Sequence, residues 1–377
     1  MTFRWLRTGE LALAAMLEAI RGARASIRLE TYIFVADETG GQFRAELVAA
    51  RLRGVSVRVL VDAIGSLFLP ADFWKPLTDA GGESKIFNPV SLHRFSIRDH
   101  RKMLVCDEQD VVVGGFNIAN AYNGDGVTRG WRDLGLRITG GFAREFAAAF
   151  DEIFAPPRKT RRWPLFQKRP APAPSVLSAC ELLVGGAGAR GKFLRTRLRR
   201  DISTARDVKI ISAYFLPTWR MRKALIGVCR RGGRVQLILA GQSDVRLSQF
   251  ASRRLYRRLL RAGIEIYEYQ PQILHAKLFI LDDTVCIGSA NLDTRSLLLN
   301  HELLVRLDDP QVAGEARAIF AGDLAHCVQI HAATWRRSRT FLNRWLERLA
   351  YFLLVHVDTY LARLQLRRPH PETTERG

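Results

Sequence analysis

The sequence predicts an α/β protein built from two tandem repeats. Three observations carry the prediction. Four landmarks recur in the same order along the chain, β-branched apolar runs alternate with helical periodicity within each half, and a proline-rich segment divides the halves.

Each element follows in order. "MLEAIRGARA" occupies the place in the first half that "LRRDISTARD" holds in the second, so it opens a domain as a helix rather than serving as a cleaved leader. "ARASIRLETYIF" matches "ARDVKIISAYF", a helix end running into an apolar strand. The helical patterns "GGQFRAELVAARLRG" and "SQFASRRLYRRLLRAG" contribute one helix to each half. "RGVSVRVLVD" matches "RGGRVQLILA", and "AGGE" matches "AGIE", glycine-punctuated entries into further strands. The domains run 1–155 for the first repeat, 156–175 for a linker, 176–330 for the second repeat and 331–377 for a tail. The linker holds six of the fourteen prolines and six Lys or Arg, a composition that cannot continue a helix or a central strand. Its Trp163 and Phe166 suit a membrane interface.

With 377 residues and 47% hydrophobic content, the chain buries a large core. Its net charge of +21, from 58 basic against 37 acidic residues, attracts polyanions, either nucleic acid or an anionic membrane. The five cysteines lie far apart, without zinc spacing, and fit a reducing compartment. No apolar run is long enough to span a bilayer.

The fourth landmark carries the chemistry. "DHRKMLVCDEQDVVVGGFN" and "LHAKLFILDDTVCIGSAN" share one formula: His, one residue, Lys, four residues, Asp, five or six residues, then Gly, Gly or Ser, one residue, Asn. The first copy is His100, Lys102, Asp107, Gly114, Gly115 and Asn117; the second is His275, Lys277, Asp282, Gly288, Ser289 and Asn291. Residues two apart on a strand face one side, so each His and Lys share a site. Lys102, Lys277, Asn117 and Asn291 can donate hydrogen bonds to a ligand, and Ser289 stands among the small residues that let the backbone approach it. Asp133 follows the first motif and Glu302 the second, each placed to orient an imidazole. Asp107 and Asp282 read as partners in the strand turn. The other histidines lack such company.

This pair of motifs resembles the phospholipase D superfamily, with its duplicated HxKxxxxD signature, and the resemblance runs from about Ile27 to Leu307. It implies two α/β/α repeats with mixed sheets packed about a pseudo-twofold axis. It also implies a catalytic set of His100, Lys102, Asp107, His275, Lys277 and Asp282. His100 would be the nucleophile, forming a phosphohistidine, and His275 the acid; no cofactor or metal is needed. "LETYIFVADETGGQF", "VDAIGS", "SAYFLP", "GIEIYEY" and "GSANLDTRSLLLNHE" make the chain most similar to bacterial cardiolipin synthases of the type lacking N-terminal membrane helices. That likeness implies phosphatidylglycerol as substrate and peripheral binding to the cytoplasmic face of the cell membrane. No nucleic acid is expected as partner. The alternatives are a hydrolase or nuclease for another phosphodiester and a non-catalytic membrane scaffold. The tail, with Trp335, Leu342, Trp345, Leu349 and Phe352 near helical spacing among arginines, reads as an amphipathic helix at an anionic interface.

Overall fold

A computed structural model describes residues 1–89, 96–155, 179–186, 189–358 and 360. The linker's aromatic pair and the last part of the tail lie outside the described residues.

The first half forms a seven-stranded mixed sheet from β1 (Thr2–Leu6), β2 (Ser26–Thr31), β3 (Ser56–Asp62), β4 (Glu83–Phe87), β5 (Met103–Cys106), β6 (Asp110–Gly114) and β7 (Gly135–Thr139). Its spatial order is β1-β7-β6-β5-β2-β3-β4. In the second half come β8 (Cys180–Val184), β9 (Asp207–Ser212), β10 (Phe215–Leu216), β11 (Arg234–Ala240), β12 (Glu265–Tyr269), β13 (Lys277–Leu281), β14 (Thr284–Gly288), β15 (Leu292–Asp293), β16 (Leu303–Asp308) and β17 (Cys327–Ile330). Its main sheet is ordered β17-β12-β11-β9-β13-β14-β16-β8, so seven strands repeat the first sheet position for position and β17 covers the extra edge. The sequence landmarks found the inner strands but not β1, β8 or β17, whose short edge segments carry little periodicity.

The repeated glycines have a common cause. Gly54 and Gly232, and likewise Gly81 and Gly263, adopt positive φ of 80–94°, the left-handed turn that ends a helix before the next strand.

Helices α1 (Gly9–Gly22), α2 (Glu38–Leu52) and α3 (Lys75–Asp79) cover the outer face of the first sheet. After α4 (Ala143–Phe154), the second sheet is covered by α5 (Ala189–Thr204), α6 (Trp219–Arg230) and α7 (Arg246–Arg261), with the short α8 (Thr294–Leu298) beside α5. The inner faces, together with α4 and α9 (Pro310–Leu324), share one continuous core in which Phe146 and Phe150 join Leu278, Ile280 and Val305. Equal strand order and a shared inner core make the molecule a pseudo-twofold pair of α/β/α repeats.

The tail forms α10 (Ala332–Ser338) and α11 (Phe341–Phe352), which pack on α7. Trp335 does not continue the α11 stripe, because the helix breaks at Arg339 and Thr340; its ring packs 5.0 Å from that of Tyr256. On α11 the buried positions are Glu347 and Ala350, while Phe341, Leu342, Trp345, Leu349 and Phe352 form one exposed apolar stripe. Among the described residues no helix is long and apolar enough to cross a membrane.

Candidate active site

The site forms where each half is hydrogen-bonded to the start of a strand in the other. His100 N donates to His301 O at 2.9 Å and His301 N to Arg98 O at 2.9 Å, just ahead of β5 and β16. Likewise His275 N donates to Arg132 O at 2.8 Å and Arg132 N to Ile273 O at 2.9 Å, ahead of β13 and β7. This docking exchanges the orienting carboxylates. The His100 Nδ1 lies 3.1–3.2 Å from the Glu302 carboxyl oxygens, and the His275 Nδ1 lies 2.6 Å from Asp133 Oδ2. Asp133 and Glu302 therefore each serve the histidine of the opposite repeat, a pairing that their order in the sequence does not reveal.

The two imidazole centroids stand 6.5 Å apart. Aromatic rings wall them in: Tyr32 lies 5.0 Å from His100, while Tyr122, Trp131 and Tyr214 lie 5.4, 5.7 and 6.5 Å from His275. The histidines keep only 8% and 3% of their surface exposed, so both rings are shielded from bulk water. With Nδ1 of each ring facing a carboxylate, Nε2 is left for chemistry. Lys277 Nζ is 2.8 Å from the same His275 Nδ1, but that nitrogen cannot accept while its proton points at Asp133. The lysine instead donates to the His275 carbonyl, as Lys102 does to the His100 carbonyl at 2.6 Å.

Burial governs the charges. It lowers the Lys102 pKa to about 7 and that of Lys277 to about 8, and raises that of Glu302 to about 8. Both histidines fall below their usual value, His100 furthest, through burial and then the neighbouring lysines. Asp133 moves the other way from Glu302: burial pushes it up, but His275 and Lys277 outweigh burial and hold it below the usual carboxylate range. The two orienting carboxylates are thus driven apart, Asp133 down and Glu302 up.

The remaining motif residues take other places. Asp107 accepts from the backbone N–H groups of Arg24, Ala25 and Ser26 at 2.7–2.9 Å, and Asp282 from those of Arg206 and Asp207 at 2.8–3.2 Å. Both have φ of 53°, in a tight turn at the far end of the strand from the histidine. Six residues separate each Asp from its His, which along a strand is roughly 20 Å, so the structure places both aspartates outside the histidine site. Asn117 accepts from Ile33 N at 3.0 Å and donates to the Tyr122 hydroxyl at 2.6 Å, leaving one amide proton for a ligand. Asn291 accepts from Tyr214 N at 3.3 Å. Ser289 is turned to Glu302, to which its hydroxyl donates, and it accepts from Leu303 N at 3.1 Å. In the first half Gly115 stands at that position because a Cβ there would lie 2.2 Å from Asp133 Oδ1. Sequence reasoning missed the aromatic wall, although Tyr32 and Tyr214 stand within the repeated landmark strands.

Two repeats of equal topology that pool one His–Lys pair each define the duplicated phospholipase D-like class. The family model described as "Cardiolipin synthase, PLD-like domain" matches residues 16–155 and 198–324. The chain belongs to this family and is accordingly a phospholipid phosphatidyltransferase. Cardiolipin synthase B of Escherichia coli (strain K12) is 31% identical over 373 residues, covering 97% of this chain and 90% of that one. Cardiolipin synthase 1 of Bacillus cereus is 30% identical over 360 residues, covering 92% of this chain and 70% of that one. Among solved structures, the phosphatidylserine synthase of Haemophilus influenzae superposes with a TM-score of 0.75 at 17% identity, covering 96% of this chain and 95% of that one, a likeness of fold.

Proposed function

We propose that the protein joins two phosphatidylglycerol molecules into cardiolipin with release of glycerol, through a phosphohistidine on His100. The observation that carries this reading is the pair of imidazoles 6.5 Å apart, each with its Nδ1 at a carboxylate of the opposite repeat and its Nε2 left for chemistry. His100 Nε2 attacks phosphorus, the bond from phosphorus to the glycerol oxygen breaks, and His275 gives that oxygen its proton. The terminal hydroxyl of a second phosphatidylglycerol then returns a proton to His275 and attacks phosphorus. The phosphorus–nitrogen bond breaks and His100 is restored. Lys102, Lys277 and one N–H of Asn117 offset the charge on the phosphoryl oxygens.

Access to lipid rests on α11. Its exposed stripe of Phe341, Leu342, Trp345, Leu349 and Phe352, with Arg344 and Arg348 beside it, suits the anionic cytoplasmic leaflet, and residues 331–377 act as the membrane-binding tail of two catalytic repeats, 1–155 and 176–330. The same stripe weighs against a nuclease, which has no use for exposed tryptophan and leucine on a tail helix.

The test is purified protein with phosphatidylglycerol vesicles, quenched at neutral pH for mass analysis of peptides and lipids. Cardiolipin and glycerol in equal amounts, with a phosphatidyl adduct on the His100 peptide, is the expected result. An adduct on His275 would reverse the roles, and phosphatidic acid without cardiolipin would make the protein a hydrolase.

A further inference from the structure

The two halves differ in what stands over their histidines. On the His275 side, the loop after β11 presents Asp244, an exposed carboxylate, whose Oδ2 accepts from the Tyr214 hydroxyl at 2.6 Å. The Tyr214 ring in turn lies edge-on to His275. Among the described residues the other oxygen, Oδ1, receives only the Ser243 hydroxyl at 3.5 Å, the outer limit of a hydrogen bond. Asp244 is close enough to act electrostatically on the site, where it works to raise the pKa values of His275 and Lys277 against their burial. In the first half the corresponding loop turns inward: Ser66 Oγ donates to Tyr32 O at 3.1 Å and accepts from Phe34 N at 3.0 Å, and Ile33 stands where Tyr214 stands in the second.

A carboxylate at the mouth of a phosphate site repels the phosphate, so its use lies with another part of the substrate. The reaction supplies such a part. The incoming alcohol must reach His275, which takes its proton, and a glycerol headgroup carries a second hydroxyl next to the reacting one. We propose that Asp244, fixed by Tyr214, is a specificity-determining residue for the acceptor, receiving that second hydroxyl and so favouring a polyol headgroup over water and simple alcohols. The proposal rests on the phosphatidyl-transfer reading and on His275 as the group that handles the alcohol proton. An ammonium headgroup is a poorer fit, because Lys102 and Lys277 already place positive charge in the same site.

The experiment compares partition ratios. A short-chain, soluble phosphatidylglycerol serves as donor, and isotopically labelled glycerol, 1-propanol and ethanolamine compete with water for the same covalent intermediate, transfer to glycerol being read as label in the phosphatidylglycerol it regenerates. A ratio of products does not depend on how much of a preparation is active, so a partly folded variant still reports. In Asp244→Ala the glycerol-to-water and glycerol-to-propanol ratios are expected to fall about tenfold, the usual effect of losing a hydrogen bond to a charged group. Asp244→Asn, which still accepts a hydrogen bond, falls less. Tyr214→Phe, which frees the carboxylate, falls between the two. Ratios unchanged in Asp244→Ala while the total rate drops would overturn the proposal and leave Asp244 as a support for Tyr214. A change confined to ethanolamine would also overturn it, in favour of a cation site. If the wild-type protein gives no transfer product with any alcohol, the phosphatidyl-transfer reading itself fails, and the proposal with it.

Discussion

Under His100 lies a buried ionic cluster; under His275, at the same positions of the repeat, lies hydrocarbon. Arg101, one of the largest fully buried side chains, donates through Nε to Glu30 Oε1 at 2.7 Å and through Nη1 to Ala149 O at 3.2 Å, with Asp99 Oδ1 3.5 Å from Nε. Burial pushes Glu30 well above the usual carboxylate range; Arg101 opposes that shift and Asp99 adds to it. The strand register and motif spacing match Glu30, Asp99 and Arg101 to Ile211, Leu274 and Ala276, all three in the shared core. Both supports deliver a histidine to the same place. The His and Lys of the motif are thus held in common, while the layer beneath differs, ionic in one half and apolar in the other. The carboxylates diverge as well, since Ser289 braces Glu302 where Gly115 merely makes room for Asp133.

The largest effect expected is at the histidines themselves, and it tests whether the halves differ in role as well as in support. His100→Ala and His275→Ala should each lose at least about 10³-fold on phosphatidylglycerol. With a phosphodiester whose leaving group is nitrophenolate, which departs without a proton, stopped-flow measurement should find a burst in His275→Ala and none in His100→Ala. The opposite pattern would exchange the two roles.

Next is Gly115→Ser, which writes the second half's residue into the first. The new Cβ collides with Asp133, which must move from His275, and a displacement of about 1 Å costs on the order of 10²-fold in rate. The loss should fall mainly on kcat, because the lysines proposed to hold phosphate are untouched. A Gly115→Ser enzyme with normal kcat would show that the hydrogen bond between Asp133 and His275 does not govern catalysis.

The ionic support makes a prediction about stability. Arg101→Ala leaves Glu30 and Asp99 buried without their cation, at a cost of about 3–5 kcal/mol. Importing the whole apolar set, Glu30→Ile with Asp99→Leu and Arg101→Ala, should recover most of that loss in denaturant unfolding, because no buried charge is left over. A triple variant no more stable than Arg101→Ala would mean that the neighbouring packing cannot accept the second half's solution.

How much of this was legible in the sequence follows from the physics of each feature. The duplication was legible because strands, helix-ending glycines and the HxK motifs recur as local patterns, and the structure repeats them strand for strand. Asp107 and Asp282, read as partners in the strand turn, do hold backbone N–H groups there. The exchange of Asp133 and Glu302 was not legible, since it is created by two short backbone bridges between halves, Asp99 with His301 and Arg132 with Leu274. Nor was the break that separates Trp335 from the α11 stripe. Residues 339 and 340 contain neither Gly nor Pro, and the Thr340 hydroxyl starts the new helix by accepting from Asn343 N. The buried triad was hidden for a different reason: charged residues on a strand read as a solvated face unless their partners in space are known.

The smallest effect separates the two carboxylates by pH. Lys102 and Glu302, with pKa values of about 7 and about 8, are near neighbours whose protons leave as a coupled pair. Lys277, at about 8, titrates beside them, so with Asp133 ionised the empty site passes from one net positive charge to two net negative charges once all three protons have left. Binding a diester anion favours the protonated forms, so affinity is full below pH 7 and weakens as pH rises through 7 to 8. The fall approaches about tenfold per pH unit for each proton that must be taken up on binding. Dimethyl phosphate, whose single charge does not titrate here, is the probe, with its inhibition constant measured from pH 6 to 9. The Ser289 hydroxyl lowers the Glu302 pKa, so Ser289→Gly, which writes the first half's residue into the second, should move the upper part of the curve to higher pH and alter the low-pH affinity only a few-fold. A curve that is flat from pH 6 to 9 would mean that Lys102 stays charged and Glu302 keeps one state throughout. An upper limb unmoved by Ser289→Gly would assign the titration to the lysines alone.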